Sequence, residues 1–270
     1  MSSDPSIGTR PTRKQRREQA RDERRALQDA QRRAAAVRRR SWLIGGLAIA
    51  LLVAAALAWL WANGQEASTD AQVAQPGLQL APLSSLGSLR EPGPAGPLGP
   101  EEVPIPAAPP AATTAGKAQG APVDGIECST SEQTLFHIHA HLTIFIDGAT
   151  RRVPAGIGIP DAQAENTPRG PFVGSGRCFY WLHTHAADGI IHVESPVERV
   201  YTLGEFFDIW GQPLGRQRVG PVTGRVTAIY NGGRVEADPR QIPLTAHAQI
   251  QLEVGRPLVG PDTIRFPEGL

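Results

Sequence analysis

The chain has 270 residues, with 27 Lys+Arg against 26 Asp+Glu and a formal net charge of +1. That total conceals two opposed parts: residues 1–41 hold 13 basic and 5 acidic side chains, a net of +8, whereas the rest holds 14 and 21, a net of −7. The length allows one or two domains, and the charge opposition excludes reading the chain as one uniform body.

The tail over 1–41 is rich in Arg, Gln, Ala and Glu, which favour helix, but it lacks an apolar stripe that would predict a packed core. Its arginines raise nucleic-acid binding as one reading. The next segment favours another, a topology signal that also attracts anionic lipid. Trp42–Ala62 reads WLIGGLAIALLVAAALAWLWA, an uncharged stretch of 21 residues. About 20 apolar residues are needed for a helix to cross a ~30 Å hydrocarbon core. Trp42 marks one end, and Trp59 and Trp61 the other; Arg38, Arg39 and Arg40 precede it, and the first charge after it is Glu66. This asymmetry predicts a single-pass signal anchor in the cell membrane, with the N-terminus cytoplasmic and everything after residue 62 extracytoplasmic. A cleaved signal peptide is the rival reading, disfavoured by the length of the stretch. Residues 63–122 are dense in Pro, Ala and Gly, and are expected to form a disordered linker.

The His-rich part, 123–270, is long enough for its own core. His137–Ile146 (HIHAHLTIFI) alternates and ends in Asp147-Gly148, a hairpin-turn signal, with 151–154 as the return strand. Further strands are expected at 177–183, 189–194, 222–230 (running into Asn231-Gly232) and 246–254. Thr143–Gly148 (TIFIDG) and Thr227–Gly232 (TAIYNG) share the chemistry of such hairpins. Thr202 followed by Glu205 is a capping-box pattern, and Leu203, Phe206, Phe207 and Trp210 follow at helical spacing, so one short amphipathic helix is expected. The fold class is therefore a single transmembrane helix plus a β-rich α+β extracytoplasmic domain with β-hairpins.

All seven histidines follow residue 136, and six fall between positions 137 and 192. On a strand, His137, His139 and His141 share one face, leaving Ile138 and Ala140 for the core. His183 and His185 repeat the i, i+2 spacing, and His192 follows. Clustered imidazoles are a transition-metal signature, so these six are the expected ligands of a zinc or copper ion. His247 is isolated and is not counted among them. The single methionine, Met1, excludes a methionine-ligated copper site outside the cytoplasm. Asp188 and Glu194 are the candidate carboxylates, as ligands, orienting groups or a catalytic base toward metal-bound water. Cys128 and Cys178, extracytoplasmic on this topology, read as a disulfide that would draw the two histidine groups together; thiolate ligation is the alternative.

The segments HIHAHLTIFIDG, VPAGIGIP, LHTHAADGIIHVES and TLGEFFDIWGQPL resemble an uncharacterised family of secreted or membrane-anchored bacterial and archaeal proteins. The resemblance covers most of 127–257 and implies the domain boundary but no activity. Ala186 stands where that pattern would place an acid, leaving Asp188 as the nearby carboxylate. No GxSxG, P-loop or GxGxxG motif is present. Three functions stay open: a membrane-anchored metal-binding carrier, sensor or chaperone with an envelope partner; a metal-dependent enzyme with an open coordination position; and a structural or interaction domain without metal. No nucleic acid is expected as partner.

Overall fold

The structure is a computed structural model that describes residues 78–270. The basic tail and the expected membrane segment Trp42–Ala62 lie outside the described residues, among which no helix is long and apolar enough to cross a membrane.

The main sheet has eight strands: β1 (Leu80–Ala81), β2 (Phe136–Ile146), β3 (Ala149–Arg151), β4 (Leu182–His183), β5 (Ile190–Ser195), β6 (Val226–Tyr230), β7 (Gly233–Val235) and β8 (Ala248–Val254). Their lateral order is β1-β7-β6-β8-β2-β5-β4, with β3 folded back on β2. Only β8 and β2 run parallel; every other pairing in the sheet is antiparallel. The two expected hairpin turns form at Asp147-Gly148 (φ 49° and 71°) and Asn231-Gly232 (φ 47° and 81°). Positive φ at both central positions matches the right-handed twist of the flanking strands, which is why Asp-Gly and Asn-Gly signal these turns.

Alternation along β2 sorts its side chains. Ala140, Leu142 and Ile144 enter the apolar core, and Ile138 packs against it. The same core holds the apolar face of α1 (Leu203–Trp210), including Phe206, Phe207 and Trp210. Burying each such aromatic side chain contributes on the order of 2–3 kcal/mol. Thr202 caps α1: its hydroxyl accepts from the Glu205 N–H, while the Glu205 carboxylate accepts from the Thr202 N–H. Gly211 ends the helix in the left-handed region at φ 68°.

Several sequence expectations need correction. The stretch 177–183 is not one strand: Phe179–Tyr180 pairs with Cys128–Ser129, and only Leu182–His183 joins the main sheet. The stretch 222–230 likewise divides into Val222–Thr223, in a small three-stranded meander, and β6. A hairpin of Gln163–Thr167 and Gly170–Ser175 forms where none was expected, because its outward residues carry little alternation.

The larger correction concerns the linker. Residues 78–122 form a strap on the domain. The Ala111 N–H donates to Arg152 O (2.8 Å), the Ala118 N–H to Ile209 O (2.9 Å), and the Trp210 indole N–H to Thr113 O (3.1 Å). Val103 is fully buried. A Cβ on Gly211 would lie 1.9 Å from Gly116 O, so the strap and the end of α1 require glycine there. The segment lacks a core of its own, but it borrows one. Its prolines, with φ already fixed, lose less entropy on docking than other residues would.

Cys128 and Cys178 form a disulfide with a sequence separation of 50. Such a loop contributes ~4 kcal/mol in the chain-entropy picture. The bridge ties the segment leading into β2 to the one leading into β4.

The strap yields a direct expectation. A chain begun at residue 123 should unfold several kcal/mol more easily than one begun at residue 78, with a lower urea midpoint and exposed Trp210 fluorescence. Equal midpoints would show that 78–122 adds nothing to the fold.

Candidate metal centre

The face of β2 opposite the core carries the histidines, and lateral register brings them to partners. His137 lies opposite Glu194 of β5, and His139 lies opposite His192. On the other edge of β5, His183 of β4 also lies opposite His192. Three imidazoles thus form one row across three neighbouring strands, at the ~4.8 Å strand spacing. Ring centroids are 4.6 Å apart for His139–His192 and 5.4 Å for His183–His192. His185, two residues beyond His183, reaches the same cluster, with its ring stacked on Phe172 at 4.8 Å.

Four donor atoms close a ring. His137 Nε2 lies 3.0 Å from His139 Nε2, which lies 3.1 Å from His192 Nδ1. His192 Nδ1 lies 3.4 Å from Glu194 Oε1, which returns to His137 Nε2 at 3.1 Å. Neighbouring ligands of one ion with bonds of ~2.0–2.1 Å stand about 2.9–3.4 Å apart, according to geometry. On the other side, His183 Nε2 and His185 Nε2 are 3.1 Å apart, and Glu194 Oε2 lies 3.9 Å from His183 Nε2. Two overlapping groups, His137/His139/His192/Glu194 and His183/His185/His192/Glu194, therefore have the spacing to hold a metal ion.

The cluster is buried. Only His137 is open to solvent, with 37% of its side chain exposed. Burial, reinforced by charge on His192, pushes His139 down to about 3. Burial likewise holds His183 well below its ordinary value, and lowers His185. His192 goes the other way. Burial opposes its charge, but hydrogen bonds and attraction to Glu101 and Glu194 outweigh that and raise it to about 9.

Glu101, from the strap, is the site residue that the sequence reading missed. Its Oε1 accepts from His192 Nε2–H at 2.7 Å and its Oε2 from the Ala186 N–H at 3.2 Å. Burial works against this carboxylate, yet its bond to His192 and the charge there leave its pKa lowered. The available signal was faint: between Glu91 and Lys117, Glu101 and Glu102 are the only charged residues. Glu132 was missed as well; its Oε1 lies 3.5 Å from His185 Nε2.

His141 stands apart from the cluster. One strand repeat (~6.7 Å) beyond His139, it meets the turn before β5 instead of another histidine, and its Nε2 donates to Asp188 O at 3.0 Å. Burial lowers it to about 4. Asp188 Oδ1 accepts from the Ile190 N–H, while Oδ2 is buried without a donor among the described residues. Burial and the neighbouring Glu101 charge raise Asp188 to about 8. His141 and Asp188 both line a cavity of about 570 Å³ between the strap and residues 262–268. His247 lies elsewhere, bonded to Leu270 O at 2.7 Å and stacked on Phe266.

Comparison with known proteins found no matching family model, no matching curated protein and no matching solved structure.

Replacing Glu101 with Ala should destabilise the chelator-treated protein by roughly 3 kcal/mol, since a buried charged partner and the Ala186 N–H lose their acceptor. Denaturant unfolding of the two proteins checks this; a change within ~0.5 kcal/mol would show that the strap carboxylate holds nothing in place.

Proposed function

We propose that this is a membrane-anchored, extracytoplasmic domain that binds a divalent transition metal, copper or zinc. The observation that carries this is the closed ring of His137 Nε2, His139 Nε2, His192 Nδ1 and Glu194 Oε1, with sides of 3.0–3.4 Å. Imidazole and carboxylate donors suit copper(II) and zinc(II). The disulfide removes both cysteines as thiolate ligands. Glu101 would act as the outer carboxylate that fixes the His192 tautomer, leaving Nδ1 for the ion. The anchor is Trp42–Ala62 with the basic tail inside, a topology consistent with the oxidised cysteine pair.

Deep burial favours a carrier, sensor or chaperone that holds its ion over one that exchanges substrate at an open face. A metalloenzyme is the second reading, and one feature favours it: the cavity reaches Asp188, a protonated carboxyl one residue removed from the ligands through Glu101. In that reading Asp188 is the acid, and Glu194 is a ligand.

Metal analysis of the full chain, stripped by chelator and reloaded with copper(II) or zinc(II), should give stoichiometric binding. It should fall at least tenfold in affinity in the His137→Ala/His139→Ala variant. A stripped wild-type protein that takes up neither ion would end this reading.

Uptake should also be coupled to protons. His192, raised to about 9, is protonated at neutral pH and must lose its Nδ1 proton to bind the ion. His139, held near 3, has no proton to lose. Affinity should therefore rise up to tenfold per pH unit toward about 9 and level off above it. Calorimetry at neutral pH in buffers of different ionisation enthalpy should count about one proton released.

A further inference from the structure

We infer that the cluster holds two ions, bridged by the Glu194 carboxylate. This rests on the metal-binding reading of the same residues but is carried by atoms that the first ring does not use.

His183 Nδ1 lies 2.8 Å from Tyr180 O, and His185 Nδ1 lies 2.6 Å from Val173 O. A carbonyl only accepts, so each Nδ1 carries the N–H. A neutral imidazole has one N–H, which leaves both Nε2 atoms as bare lone pairs. These two lone pairs face each other at 3.1 Å with no hydrogen to share. The third group at this point is Glu194 Oε2, also an acceptor, buried without any donor among the described residues and 3.9 Å from His183 Nε2. Three acceptors therefore converge in a buried place where the described residues supply no donor, an arrangement that stands only if a cation sits among them.

The ion in the first ring does not meet this need, because it takes Oε1 of Glu194 and leaves Oε2 free. The donor atoms divide without conflict. The first ion takes His137 Nε2, His139 Nε2, His192 Nδ1 and Glu194 Oε1; the second takes His183 Nε2, His185 Nε2 and Glu194 Oε2. One carboxylate with an oxygen on each ion is a known way to hold two ions roughly 3.5–4 Å apart. The second ion has three ligands and an open fourth position. On that side stands Glu132, 38% exposed, with Oε1 3.5 Å from His185 Nε2. The two ions differ accordingly: the first is enclosed by four protein ligands, and the second is open to water, to Glu132 or to a small anion.

The test uses the full chain in detergent, stripped and then saturated with copper(II), with excess removed by desalting. Elemental analysis should return two copper ions per chain. Electron paramagnetic resonance should integrate to far fewer than two spins, because the carboxylate couples them. The His183→Ala/His185→Ala variant should return one ion with its full, uncoupled signal. Since both side chains are buried and that variant can misfold, the wild-type measurement decides by itself. One ion per wild-type chain overturns the bridged pair and leaves metal binding intact. Two ions at full spin intensity overturn the bridge. No ion at all overturns metal binding as well.

Discussion

The placement of β5 between β2 and β4 is the constraint from which the site follows. Side chains alternate along a strand, so a slip of one residue in either pairing would turn a whole set of groups to the opposite face. The observed register sets His139, His192 and His183 side by side and leaves Ile191 and Val193 for the core. The apolar residues between the histidines are thus what hold the histidines in line. Ala140, Leu142 and Ile144 cannot leave the core without exposing large apolar area, and that penalty fixes where each imidazole points.

Much of this was legible in the sequence because it depends on local rules. The HIHAH alternation gives one shared face; Asp-Gly and Asn-Gly give the turns; Thr202 and Glu205 give the start of α1. The lateral register was not legible, since nothing in HTH or in IIHVES states which residues lie opposite which. For that reason His141 looked equivalent to His137 and His139. Its different fate was decided by register: the apolar Ile190, the first residue of β5, lies opposite it, and its ring reaches Asp188 O in the turn before that strand. The strap was illegible for another reason. Composition measures what a segment can bury within itself, whereas 78–122 places Ala111 and Ala112 in the domain's core and hydrogen-bonds to Ile209, Trp210 and Tyr180.

The strap and the disulfide share a physical role around the cluster. A buried group of imidazoles and carboxylates disfavours the folded state unless every polar atom is paired. Glu101 brings a charge that pairs His192, and Cys128–Cys178 restrains the unfolded chain just outside β2 and β4, two of the three strands that carry the candidate ligands. Glu101 comes from the strap and the bridge from the segments leading into β2 and β4, so the site is assembled from several parts of the domain. The consequence for the strap is that its position matters to the site: moving Glu101 would leave His192 without the partner that sets its tautomer.

The same logic separates the two halves of the cluster. Around His192, protons can satisfy the ring: an imidazolium there donates to Glu101 on one side and toward His139 and Glu194 on the other. Around His183 and His185, the carbonyls of Tyr180 and Val173 have already taken the protons, and no rearrangement of tautomers supplies one between the two Nε2 atoms. The first half can therefore stand folded without an ion, as a charged hydrogen-bond network. On the two-ion reading, a cation completes the second half. If folding precedes metal uptake, the apolar core sets the register, the His192 side is already paired within it, and on the two-ion reading the His183–His185 side is the part whose repulsion an ion would remove.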